Sequence, residues 1–118
     1  MPTINFQERF AQAISEGKKN TTIRRSRKEP LKIGQKLYAY NGLRTIGARY
    51  ITTLEITEIC KVVIEDTAVI IDGIILQENR LRSFIENEGF SSQDAFFDFF
   101  RCRYGLPFEG ELIRFKNL

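Results

Sequence analysis

Three side chains able to do chemistry stand close together near the start of this chain. Lys19, Thr22 and Arg24 belong to the run Gly17-Lys18-Lys19-Asn20-Thr21-Thr22-Ile23-Arg24. A threonine hydroxyl is too weak an acid to attack an amide carbonyl unaided, but a lysine held neutral can take its proton. Partial burial and the neighbouring charges of Lys18 and Arg24 would depress the Lys19 pKa and make it that base. Arg24 or a backbone amide would then steady the oxyanion.

The elements around the run would bring these groups to one place. Phe6, Phe10, Ala13 and Ile14 recur at helical spacing and predict one buried stripe, with Gly17 as a left-handed stop. Thr21 to Arg24 has the β-branched character of a strand, whose alternation puts Thr22 and Arg24 on one face and Ile23 on the other. A purely structural alternative exists, because lysines after a helix end also answer its last carbonyls and its dipole.

Composition narrows the chemistry. The 118 residues suit one domain, 1–118, and folding at that size buries roughly two-thirds of the extended-chain surface. With 42% hydrophobic and 28% charged residues the chain has a globular composition, and ten phenylalanines without a tryptophan predict a Phe-rich core. Histidine is absent, so Ser-His-Asp, Cys-His and His-based zinc arrangements are excluded. No phosphate loop ending in Gly-Lys-Ser/Thr occurs either. Cys60 and Cys102 lie far apart in apolar-patterned segments and are expected to be reduced, buried thiols. No apolar run reaches membrane-spanning length and no leader pattern opens the chain, so a cytoplasmic protein is expected, with no membrane partner.

The net charge is only +3, yet Lys18, Lys19, Arg24, Arg25, Arg27, Lys28, Lys32 and Lys36 fall in one segment with Glu29 as its only acid. That asymmetry points to an anionic partner, a nucleotide or an RNA backbone, or else to a solvated basic loop. Residues 25–32 read as a loop, and Lys32-Ile33-Gly34-Gln35 as a turn into a strand from Lys36 to Tyr40, closed by Asn41-Gly42. Tyr38 and Tyr40 share one face of it, where they would stack a base or pack as ordinary half-exposed tyrosines.

Further strands are expected at Ala48–Ile59, at Lys61–Ile64 after a bend, and at Ala68–Ile71, halted by Asp72-Gly73. A helix should span about Glu78 to Asn87. A second, opened by the Ser91-Ser92 cap, carries Phe96, Phe97, Phe99 and Phe100. Gly105-Leu106-Pro107 ends it, and Glu111 to Phe115 forms a closing strand. Closely spaced strands of this kind predict an α+β fold built on a small antiparallel barrel flanked by helices.

The pattern Gly17-x-Lys19-x-x-Thr22-x-Arg24 resembles the signature of the ASCH family, small domains related to the PUA group of RNA-binding folds. The likeness extends to the helix before the motif and the Lys-x-Gly turn after it. It also covers the Glu88-Gly89-Phe90 segment leading into a Phe-rich helix, and the final strand ending in Phe115-Lys116. It implies a PUA-like β-barrel with a cleft lined by the motif. Some small bacterial members are amidohydrolases that remove the acetyl group from the exocyclic amine of N(4)-acetylcytidine with a lysine, a threonine and a glutamate.

By that resemblance Lys19 is the base, Thr22 the nucleophile and Glu88 the acid, with Glu86 a rival for the last role. Substrate binding falls to Gly17, Arg24, Arg25, Tyr38 and Tyr40. A variant has Lys19 and Glu88 activate water while Thr22 positions the substrate. Neither version uses a metal or another cofactor. The segment from Gly42 to Gly73 is longer than in the smallest members.

The competing expectation is an RNA-binding module or ribonuclease, with Arg25, Arg27, Lys28 and Lys32 holding the phosphates of single-stranded RNA. A third is a pure interaction module in which the motif is a relic. A monomer or weak dimer is expected in every case.

Overall fold

Strands with one apolar face need partners, and in the computed structural model, which describes residues 2–118, seven strands find them in one mixed sheet accompanied by three helices. In chain order the elements are β1 (Thr3–Asn5), α1 (Glu8–Ser15), β2 (Thr21–Arg24), β3 (Lys36–Asn41), β4 (Arg49–Ile64), β5 (Val69–Ile71), β6 (Ile74–Ile75), α2 (Glu78–Asn87), α3 (Gln93–Arg103) and β7 (Phe108–Asn117). The hydrogen-bonded path runs β1-β3-β4-β5-β6, with β7 paired to β2 and β4. The path does not return to β1, so the sheet is open.

The pairing also departs from an all-antiparallel arrangement. β1 runs parallel to β3, matching Thr3 with Tyr38 and Asn5 with Tyr40. The connection between them carries α1 and β2, long enough for the crossover that a parallel pair requires. The chain divides into two compact units. One consists of the chain through Asn20 with Glu29–Ile59 and Arg114–Leu118, and the other of Thr21–Lys28 with Cys60–Ile113.

In the first unit, Ile4, Leu37, Ala39, Leu54 and Ile56 are buried on alternate positions of β1, β3 and β4. Phe6 is buried but precedes α1, so of the expected helical stripe only Phe10, Ala13 and Ile14 lie on the helix, with Ile14 buried and Phe10 and Ala13 half-buried. Phe6 meets Phe115, with ring centroids 6.0 Å apart. After α1 the chain turns through Gly17 at φ +76°, and the N–H groups of Lys18 and Lys19 both donate to the Ala13 carbonyl. The Asn117 amide donates to the carbonyls of Ile14 and Ser15 at 3.0 and 3.2 Å. Those contacts answer the orphan carbonyls of the helix end.

The second unit holds seven of the ten phenylalanines. Phe96, Phe97 and Phe100 of α3 are buried with Leu81 and Ile85 of α2, Val62 and Ile64 of β4, and Phe108 and Leu112 of β7. α2 spans the expected residues, and α3 starts where the Ser92 hydroxyl accepts from the Ala95 N–H at 3.1 Å. Ser92→Ala should cost about 1 kcal/mol in urea unfolding, the usual loss for a missing cap.

Asp72 and Gly73, read from the sequence as a stop, form a two-residue hairpin turn. Their φ values are +49° and +82°, and Ile71 pairs with Ile74 across the turn. β4 is one 16-residue strand beginning at Arg49, without the expected bend, because its β-branched run contains neither glycine nor proline. β7 is likewise longer than Glu111–Phe115.

Candidate functional site

Burying a polar group without a partner is costly, so a buried polar side chain usually has a specific task or partner. Among the described residues the buried polar or charged side chains are Lys19, Thr21, Thr22 and Glu88, each at most 8% exposed. Glu86, the rival to Glu88, is exposed.

Thr21, Thr22 and Glu88 belong to the second unit. The Thr21 hydroxyl donates to Glu88 Oε2 at 2.5 Å, and the Arg24 Nε–H donates to Thr22 Oγ1 at 3.0 Å. Thr22 and Arg24 thus meet on one strand face, as a two-residue spacing dictates. β2 is held close to β7 at this point: a Cβ on Gly110 would collide with the Arg24 carbonyl oxygen and would stand 2.8 Å from the Phe108 ring. Only glycine leaves room for that approach. Glu88 is positioned just past α2, where its N–H donates to the Phe84 carbonyl at 3.0 Å.

The electrostatics centre on Arg24. Burial pushes its guanidinium below the usual pKa; Tyr104 and the Glu88 carboxylate oppose that shift, while Arg27 and Arg103 add to it. A guanidinium donating to a hydroxyl oxygen favours loss of the hydroxyl proton, since it stabilises the anion left behind. The arrangement in this unit can therefore polarise Thr22, and it holds the Glu88 carboxyl group beside the Thr21 hydroxyl. Arg25 lies over the Tyr104 ring, 4.8 Å from its centroid, and Lys28 is exposed.

Gly17, Lys19, Lys32, Tyr38 and Tyr40 belong to the first unit. The Lys19 ammonium lies 4.8 Å from the centroid of the Phe10 ring. A cation over a ring face is attracted by its quadrupole. Tyr38 and Tyr40 are half-buried, and each packs edge-on against Tyr50, at 6.5 and 5.7 Å between centroids. Gly17 supplies the turn after α1, and Lys32 is an exposed turn residue.

Sequence reasoning passed over Thr21, Tyr104 and Arg103. Strict alternation hides Thr21 by assigning it to the face opposite Thr22, yet both are buried in a four-residue strand. Arg101 and Arg103 lie in the last turn of α3, where basic side chains commonly answer the helix dipole. Cys102 is exposed rather than buried, because the apolar pattern of α3 is broad without being continuous, and Cys60 is half-buried; both are free thiols.

Among the described residues no three His, Cys, Asp or Glu side chains are grouped to hold a metal ion, and no helix is long and apolar enough to cross a membrane. Comparison with family models, curated proteins and solved structures finds no match to this chain.

Proposed function

We propose that this chain is a single ASCH-type domain whose sheet follows a PUA-like barrel plan. We further propose that it is a cytoplasmic amidohydrolase removing the acetyl group from the exocyclic amine of a cytidine-type nucleoside. The observation that carries this proposal is the buried polar set: Lys19, Thr22 and Glu88 are three of its four members, and the fourth, Thr21, is hydrogen-bonded to Glu88. Residues given these roles by the resemblance coincide with those the fold withdraws from water.

In the proposed reaction the Thr22 hydroxyl oxygen attacks the acetyl carbonyl while its proton passes to Lys19, three residues earlier in the chain and acting in its neutral amine form. Arg24, already donating to Thr22 Oγ1, favours the deprotonated oxygen. Collapse of the adduct breaks the bond from the acetyl carbon to the cytosine nitrogen, and Glu88 protonates or orients the departing amine. Water then cleaves the acetyl-threonine ester and releases acetate. In the alternative course water attacks directly, Lys19 and Glu88 activate it, and Thr22 positions the substrate. No metal or other cofactor enters either course, and a monomer or weak dimer suffices.

The test is release of cytidine from N(4)-acetylcytidine by the wild-type chain, run beside Lys19→Ala and Thr22→Ala with their folding checked by circular dichroism. Loss of about 100-fold or more in both variants is expected for a base and its nucleophile. Trapping of an acetylated Thr22 by mass spectrometry selects the threonine course over the water course. A folded wild type without turnover overturns the amidohydrolase and favours RNA handling, which has its own support in the exposed Arg25 and Lys28 and the half-buried Arg27 beyond β2. Single-stranded RNA would then bind with a steep loss of affinity as salt rises.

A further inference from the structure

Valine fills nearly the volume of threonine without a polar atom, and an apolar side chain after α2 would pack without the cost of a buried carboxyl group. Yet Thr21 and Glu88 are both buried, and across 67 residues of sequence the Thr21 hydroxyl donates to Glu88 Oε2 at 2.5 Å. Glu86, two residues earlier, shows that the end of α2 can keep a carboxylate in water. The main chain at Glu88 is fixed from its own side. Its N–H donates to the Phe84 carbonyl at 3.0 Å, and the N–H of Gly89, which turns at φ +91°, donates to the Glu86 carbonyl at 2.9 Å. Phe90 then anchors the turn with its ring edge-on to Phe96, 5.2 Å between centroids. What freedom remains lies in the rotatable bonds of the Glu88 side chain, and the Thr21 hydroxyl holds their far end.

We propose that Thr21 is a positioning residue for Glu88: by holding Oε2 it directs proton exchange with the departing cytosine amine to Oε1. A carboxyl oxygen that already accepts from a hydroxyl is the poorer place for a proton, because the two hydrogens would oppose each other. Thr21 therefore acts through Glu88 and not on the substrate. β2 adds a second consequence. Thr21 is the immediate neighbour of Thr22, so the proposed acid is tied to the proposed nucleophile through a single peptide unit, which is planar and stiff. Arg24, on the same short strand, donates to Thr22 at 3.0 Å, so one four-residue element sets both groups. The role in proton exchange rests on the proposed amidohydrolase; the buried bond between Thr21 and Glu88 does not.

The experiment is steady-state hydrolysis of N(4)-acetylcytidine by the full chain, comparing the wild type with Thr21→Val, Thr21→Ser and Glu88→Gln and with the double variant of Thr21→Val and Glu88→Gln. Thr21→Val should lower kcat about tenfold or more while KM stays within about twofold, the pattern for a group that matters only in the transition state. Thr21→Ser, which keeps the hydroxyl, should recover most of that loss. In the Glu88→Gln background Thr21→Val should change kcat by less than about twofold, because a residue that acts through Glu88 has nothing left to act on. If Thr21→Val does not fold, Thr21→Ala carries the same expectations. A wild-type kcat in Thr21→Val overturns the proposal. So does an equal loss in both backgrounds, which would make the bond a support of the fold and nothing more. A rise in KM with kcat unchanged would place Thr21 in substrate binding and also overturns it. These outcomes leave the amidohydrolase standing, whereas a folded wild type without turnover removes that reaction and this role with it.

Discussion

If the chain is the amidohydrolase proposed above, Glu88→Gln is expected to slow hydrolysis of N(4)-acetylcytidine by about 10²- to 10⁴-fold, the range for loss of a positioned acid or base, while Glu86→Gln leaves the rate within about twofold. The two glutamates are separated by one residue at the end of α2, yet one is buried and the other exposed. Glutamine conserves the volume of Glu88 and still offers an oxygen to the Thr21 hydroxyl, so the substitution removes the ionisable carboxyl group while keeping the acceptor. Alanine is the poorer probe, because it would leave the buried Thr21 hydroxyl short of its partner, at about 1–3 kcal/mol. Steady-state rates for the wild type and both variants check the expectation. Comparable losses in both variants, or no loss in Glu88→Gln, would remove Glu88 from the reaction.

Phe96→Ala should lower the free energy of unfolding by about 3–5 kcal/mol, the largest stability effect expected of a single core residue here. Phe96 is fully buried, and its ring centroid lies 6.0 Å from Phe84, 5.2 Å from Phe90, 5.3 Å from Phe97 and 5.0 Å from Phe100. Truncation there loses ring contacts on several sides and leaves a cavity that surrounding rings fill only in part. Phe99 is half-buried and touches Phe90 and Phe100, so Phe99→Ala should cost distinctly less. Urea unfolding followed by circular dichroism separates the two. A loss in Phe96→Ala no greater than that of Ser92→Ala would mean that the aromatic cluster does not hold the second unit together.

What could be read directly from residue types was largely what local chemistry dictates. Ser92 before an acidic first turn announced α3, Gly17 announced the end of α1, and the phenylalanine positions announced a core around α3. What escaped depends on distant partners. β1 has three residues, too few for a periodic signal, and its parallel pairing to β3 is decided by the crossover between them. The Asp72-Gly73 dipeptide carries both a strand-ending and a hairpin meaning. The second applies because Ile74 and Ile75 find β5 beside them.

At the candidate site the motif drew attention to Lys19, Thr22 and Arg24. Thr21 becomes conspicuous only through its bond to Glu88, 67 residues away. Arg103 likewise has no local signal that links it to Arg25; Tyr104 supplies the link in space.

The placement of the tyrosines gives the chain a built-in optical probe. It has four tyrosines and no tryptophan, so nothing drains their ultraviolet emission. Tyr38, Tyr40 and Tyr50 form one edge-packed group in the first unit, whereas Tyr104 stands among arginines in the second. Any change in how Arg25 and Arg103 pack on that ring alters its surroundings, while the other three tyrosines report on the first unit. Subtracting the spectrum of a Tyr104→Phe chain isolates the reporter, and the state of the α3 end of the second unit becomes readable without any added dye.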